Sequence, residues 1–250
     1  MIEIRNLTKR YGRKVAVDDL SLHIEPGQIF AVLGPNGAGK TTTMKVLAGL
    51  LHPTSGTASI GGFDVVAQPL EAKRLLAYVP DEPYLYDKLT GREFLYFVGD
   101  LYGMDRRDIA ARTEELSAAF DLGSFLDELS ESYSHGMKQR VVVAAALLHR
   151  PKAMVVDEPT VGLDPRSSRH MRELIRRMAS ENGAAVFLST HVLPVAEMIA
   201  DRIGIMDHGR LLACSTPEEI KKLAGGGSLE ETFLRITSEA GDAGAAAAGS

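Results

Sequence analysis

Short, unbroken apolar runs closed by turn residues alternate along this chain with stretches of helical periodicity. Gln28-Ile29-Phe30-Ala31-Val32-Leu33 runs directly into glycines, and Ala153–Val156, Ala184–Leu188 and the weaker Arg202–Met206 repeat the type. Runs of this length, bounded in this way, fit strands buried on both faces. Helical patterns lie between them, at Arg166–Met178 and Leu193–Ala200. Buried strands alternating with helices predict an α/β chain with a mostly parallel sheet. The first residues differ: Ile2-Glu3-Ile4 alternates, Val15–Ile24 keeps a polar/apolar pattern, and Pro26-Gly27 marks a turn. An N-terminal antiparallel β region is expected there, ahead of the core.

Between Tyr84 and Arg150 the pattern turns helical. Thr90-Gly91-Arg92-Glu93 is a capping box that opens a helix to about Tyr102. Asp105 is the expected N-cap of a second helix, with Ile109, Leu116 and Phe120 on one stripe. A third helix is expected at about Gly136–Leu148. An all-helical subdomain, 84–149, therefore interrupts the core segments 1–83 and 150–225 of one domain, 1–225. Six of the fifteen Phe and Tyr residues fall between Tyr84 and Tyr102, so this segment needs a cause for its aromatics. Phe94, Phe97 and Leu101 have the spacing of a core stripe, whereas Tyr84, Tyr86 and Tyr96 do not share it and fit an interface better. In 226–250 a short helix is expected from Ser228 to Ile236, after the flexible break at Gly225-Gly226-Gly227. The Ala/Gly-rich stretch Gly241–Ser250 reads as disordered.

Composition narrows the function. A net charge of −5 disfavours a general nucleic-acid-binding role. The single cysteine, Cys214, excludes an internal disulfide framework and a thiolate metal cluster. The longest aliphatic run, Val141–Leu148, is 8 residues, against the ~20 that a spanning helix needs. The first ten residues carry no apolar signal-peptide core. A cytosolic protein is expected, or one attached to the cytosolic side of a larger assembly.

Three segments carry chemistry. Gly34-Pro35-Asn36-Gly37-Ala38-Gly39-Lys40-Thr41 fits G-x-x-x-x-G-K-[ST] and follows a buried strand at once. Its glycines let backbone N–H groups converge on phosphate, and the following helix, expected at Lys40–Leu50, points its N-terminus at the same anion. Lys40 would reach the β/γ-phosphates and the Thr41 hydroxyl would ligate Mg²⁺. Val155-Val156-Asp157-Glu158 ends a second buried strand with two carboxylates. Parallel sheets bind ligands at the carboxyl ends of their strands, so Asp157 would hold Mg²⁺ and Glu158 would activate or position water. Tyr133-Ser134-His135-Gly136 opens another apolar helix and offers a second anion-binding end.

Taken in order, these motifs over about residues 1–220 resemble the ATP-binding subunit of ABC transporters, built on a P-loop NTPase core. GPNGAGKTT, through Thr42, resembles Walker A; VVDEP resembles Walker B with its catalytic glutamate; YSHGMKQR resembles the signature motif. Gly162-Leu163-Asp164-Pro165 looks like the D-loop and Ser189-Thr190-His191 like the histidine switch, while Tyr11 stands where the family stacks an aromatic on adenine. The resemblance implies an ATPase that works with Mg²⁺ and pairs head to tail with a second copy or a related subunit. ATP is then held between the phosphate loop of one and Ser134, His135 and Gly136 of the other. It also implies membrane-spanning partner subunits and a peripheral position at the cytoplasmic face of a membrane.

Two positions depart from the family. His135 replaces a glycine of the signature, and Asp81 follows Tyr78-Val79-Pro80 where the Q-loop carries glutamine, making Asp81 a further metal candidate without an amide donor. Together with Ser228–Leu234, these features resemble the ABC-2-type exporter branch. A soluble ABC ATPase outside transport is the alternative. A GTPase is disfavoured, because no Asn-Lys-x-Asp element occurs.

Overall fold

The computed structural model describes residues 1–223 and 227–248, the last ten of these by backbone alone. Strands β1 (Ile2–Tyr11) and β2 (Lys14–Ile24) open the chain, followed by β3 (Ile29–Leu33) and helix α1 (Lys40–Leu47). Next come β4 (Ser55–Ile60), β5 (Phe63–Asp64), α2 (Pro69–Leu75) and β6 (Leu76–Val79). Helices α3 (Gly91–Leu101), α4 (Arg106–Phe120) and α5 (His135–Leu147) then intervene before β7 (Ala153–Asp157). The remainder alternates: α6 (Pro165–Ser180), β8 (Ala185–Ser189), α7 (Leu193–Ile199), β9 (Arg202–Asp207), β10 (Arg210–Ser215), α8 (Pro217–Leu223) and α9 (Leu229–Ala248).

The strands form two sheets. One is antiparallel, in the order β2-β1-β4-β5; the other has six strands in the order β10-β9-β3-β8-β7-β6, parallel throughout except for β10. Every residue of β3, β7 and β8 is buried, as expected for strands covered on both faces. Alternate residues of β3 feed different cores. Ile29, Ala31 and Leu33 pack with residues of α5, α6 and the helical insertion. Phe30 and Val32 pack with α1 and the antiparallel sheet, where Phe30 and Phe187 stack at 5.6 Å. The parallel sheet is thus the middle layer, with its strands packed on both faces.

In the insertion, the α3 capping box forms as expected between Thr90 and Glu93, Asp105 caps α4, and Ile109, Leu116 and Phe120 are buried. The aromatic stripe of α3 is different from the expected one. Gly91, Leu95 and Gly99 face inward, whereas Phe97 is 39% exposed and Leu101 is 69% exposed. The reason is close packing: a Cβ on Gly99 would lie 2.6 Å from Ile109, so this face fits tightly against α4 and Phe97 turns outward, while Phe94 stays half-buried against the core as expected.

At the C-terminus the helix expected from Ser228 begins at Leu229 and, as α9, runs to Ala248, through a stretch rich in alanine, the strongest helix former. Gly225 and Gly226 of the expected break lie outside the described residues, as do Gly249 and Ser250.

Candidate nucleotide site

The strand order places β8 between β3 and β7. Three consecutive carboxyl ends therefore meet: the loop Gly34–Gly39 after β3, Asp157-Glu158 at the end of β7, and Ser189-Thr190-His191 at the end of β8. This is where open parallel sheets bind ligands.

The loop is shaped by its glycines. Gly39 has φ 106°, a left-handed conformation, and a Cβ there would come within 2.3 Å of the Ala16 carbonyl oxygen. A Cβ on Gly34 would sit 2.2 Å from the Met206 carbonyl oxygen. The loop is therefore wedged between the backbones of β2 and β9, and only glycine fits. No side chain caps α1, so its first-turn amides stay available to an anion. Lys40 is only 7% exposed, and its ammonium donates to the carbonyls of Gly34 at 2.6 Å and Pro35 at 3.1 Å. Burial lowers its pKa, opposed by the negative charges of Glu158 and Asp157. A groove of about 340 Å³ runs over this loop, lined by Tyr11, Lys14, Ala16 and the residues from Asn36 to Thr42. Lys14 and Ala16 were not singled out by the sequence, because nothing local to β2 shows that it passes the loop.

Asp157 is 2% exposed. The Ser189 hydroxyl donates to its Oδ1, while Oδ2 is buried with no hydrogen-bond partner. A buried carboxylate oxygen without a partner, within electrostatic reach of the Lys40 ammonium, is the donor a hard divalent cation takes, so this site fits Mg²⁺. Glu158 has φ 47°, and His191 holds its carboxylate twice: Nδ1 lies 2.9 Å from Oε1, and the backbone amide donates to Oε2 at 3.4 Å.

The remaining candidates lie apart. Ser134 caps α5, accepting from the Met137 amide at 3.3 Å, with Ser134 and His135 exposed; neither they nor Gly136 line the loop groove. His135 instead faces Gly162, where a Cβ would lie 3.2 Å from its Nε2. The exposed Asp164 caps α6, accepting from the Arg166 and Ser167 amides, and the Ser167 hydroxyl bond holds its carboxyl below the usual range. Asp81 is exposed, because Pro80 ends β6 and turns the chain outward. Among the described residues no three His, Cys, Asp or Glu side chains converge as a metal cluster, so Asp81 does not complete one with Asp157 and Glu158. Its charge still reaches Tyr78, whose hydroxyl is pushed up to about 12 by burial first, then by Asp157 and Asp81.

Comparison with known proteins agrees with this geometry. Residues 17–161 match the ABC transporter domain family. The chain is 35% identical over 237 residues to the linearmycin resistance ATP-binding protein LnrL of Bacillus subtilis, covering 95% of this chain and 75% of that protein. It is 39% identical over 235 residues to the daunorubicin/doxorubicin resistance ATP-binding protein DrrA of Streptomyces peucetius, covering 94% and 69%. Among solved structures, an ATP binding subunit of an ABC transporter superposes with a TM-score of 0.89 at 33% identity, covering 95% of this chain and 99% of the other. A dimeric ATP-binding cassette in a post-hydrolysis state with ADP and Pi superposes with a TM-score of 0.79 at 25% identity, covering 86% and 98%.

Proposed function

The chain belongs to the ABC transporter ATP-binding family, and from that premise we propose that it hydrolyses ATP to drive export through separate membrane-spanning subunits. The observation that carries the mechanism is that Lys40, held within the phosphate loop, lies in electrostatic reach of Asp157 and of Glu158, which pairs with His191. Loop amides from Gly34 to Gly39 and the α1 N-terminus bind the phosphates, with Pro35, Asn36, Gly37 and Ala38 forming the turn between. Tyr11 supports the base. Lys40 leaves its carbonyl partners for phosphate oxygen, a stronger charge-assisted contact. Thr41 and Asp157 would hold Mg²⁺, which when bound offsets charge on the β- and γ-phosphates. Glu158 positions water and takes its proton.

His191 clamps the Glu158 carboxylate through two groups. His191→Ala is therefore expected to lower turnover several-fold or more while ATP affinity stays within a few-fold. Steady-state hydrolysis beside nucleotide titration checks this; lost affinity with normal turnover per bound ATP reassigns His191 to binding.

The outward-facing N-terminus of α5, with Ser134, His135 and Gly136, supports a second copy or a related subunit whose ATP it contacts, and the dimeric cassette bound to ADP and Pi is the solved precedent. Asp164 borders the same junction through Gly162. Export is supported by the relatives named for resistance to linearmycin and to daunorubicin/doxorubicin. Among the described residues no helix is long and apolar enough to cross a membrane, which fits a peripheral subunit at the cytoplasmic face.

The docking surface for the membrane subunit is the aromatic patch of the insertion. Tyr84 and Tyr86 are 72% and 48% exposed and meet edge to face at 5.8 Å; Tyr86 also meets Phe97 at 5.7 Å. Phe94, in reach of Tyr86 at 6.3 Å, continues this patch into an apolar groove lined also by Leu50, Tyr78 and Tyr102. Substituting Tyr84 and Tyr86 together with Ser is expected to leave basal hydrolysis within a few-fold and to weaken co-purification with membrane subunits. Exposure predicts no loss of fold, so aggregation of the double variant contradicts the assignment.

A further inference from the structure

β8 is the central strand of the site, and its last residue, Ser189, pairs in register with Val32 of β3 on one side and Asp157 of β7 on the other. Its side chain is wholly buried. The Ser189 hydroxyl donates to Asp157 Oδ1 and accepts from the Glu158 amide at 3.2 Å; its own carbonyl accepts from the same amide at 3.3 Å. One buried hydroxyl thus touches both acidic residues at once.

Each contact does something separate. An aspartate carboxylate can rotate and present either oxygen, but with Oδ1 taken by Ser189 only the buried Oδ2 is left free. Glu158 stands at φ 47°, a backbone conformation that persists for a non-glycine residue only where its surroundings fix it. The two acceptors on Ser189 fix its amide. Outer contacts of this kind orient the groups that meet a metal or a reacting atom.

We propose that Ser189 is a positioning residue for hydrolysis: it selects Oδ2 as the Asp157 oxygen presented to a cation and anchors the backbone from which the Glu158 carboxylate projects. The proposal rests on the ATPase function above and adds a residue to its site. A hydroxyl is what position 189 requires, because only a group that donates and accepts strongly serves both neighbours. Alanine removes it. Cysteine keeps nearly the same volume but donates weakly. Threonine retains it.

The test compares Ser189→Ala, Ser189→Cys and Ser189→Thr with the parent. Four quantities are measured: kcat and KM for ATP, Mn²⁺ affinity by electron paramagnetic resonance with a non-hydrolysable ATP analogue, and nucleotide affinity in EDTA. Thermal melts report folding. Ser189→Ala and Ser189→Cys are expected to lower both kcat and Mn²⁺ affinity ~10–100-fold, with metal-free nucleotide affinity within a few-fold of the parent and Ser189→Thr near the parent. Should Ser189→Ala fail to fold, Ser189→Cys carries the comparison. If Ala and Cys variants match the parent in kcat and in Mn²⁺ affinity, Ser189 has no positioning role. If cysteine restores both, the effect is one of packing volume, and the assignment fails. A parent that shows neither turnover nor nucleotide-dependent Mn²⁺ binding overturns the ATPase function itself, which separates that failure from this one.

Discussion

Glu158→Gln is expected to keep ATP bound while slowing hydrolysis by two or more orders of magnitude. The amide is nearly the same shape as the carboxylate, and its oxygen still accepts from His191, which now meets Glu158 Oε1 at 2.9 Å. The surrounding loop therefore keeps its form, including the left-handed backbone at Glu158. What is lost is the capacity to take a proton from water, a contribution of ~10²–10⁴ in rate. Single-turnover hydrolysis beside equilibrium nucleotide binding separates the two effects. A variant that hydrolyses ATP within a few-fold of the parent removes Glu158 from the catalytic role.

Lys40→Ala is expected to act on binding instead. The ammonium is buried inside the loop, held to the Gly34 and Pro35 carbonyls, and its transfer to phosphate is a charge-assisted contact. Hydrogen bonds to charged groups contribute ~1.5–3 kcal/mol, so ATP affinity should fall roughly 10- to 100-fold. Alanine also leaves the two carbonyls without their donor, which loosens the loop and moves the loss toward the upper end. Isothermal titration with ATP checks this; unchanged affinity places the phosphates elsewhere.

How much of this was legible in the sequence depends on how local each feature is. The phosphate loop, the two carboxylates and the caps at Thr90 and Asp105 are short-range patterns; both caps form as expected, and Ser134 caps α5 in the same way. The buried strands β3, β7 and β8 were visible because strands covered on both faces must be continuously apolar. What could not be read depends on contacts between distant segments. The need for glycine at Gly34 and Gly39 arises from Met206 and Ala16, far away in the chain. Ser189 stood in the sequence only as a neighbour of His191, since its register with Asp157 exists only once β7 and β8 pair. The four residues of β6 were too few to show a period, and β10 is only partly buried on an edge. On α3 the spacing of Phe94, Phe97 and Leu101 pointed to a core stripe, yet Gly99 draws the helix close to Ile109 and makes Leu95 the buried residue. Phe97, exposed as a result, meets Tyr86 of the patch assigned to docking.

In the proposed arrangement, nucleotide is shared between the phosphate loop of one subunit and the α5 N-terminus of another. The mass of the Glu158→Gln protein in Mg-ATP, measured by light scattering across a range of protein concentrations, tests it most directly. The expected result is a doubled mass that appears with ATP, holds two nucleotides per pair and reverts to the single subunit with ADP. A protein that binds one ATP per chain and keeps the mass of a single subunit at every concentration contradicts it.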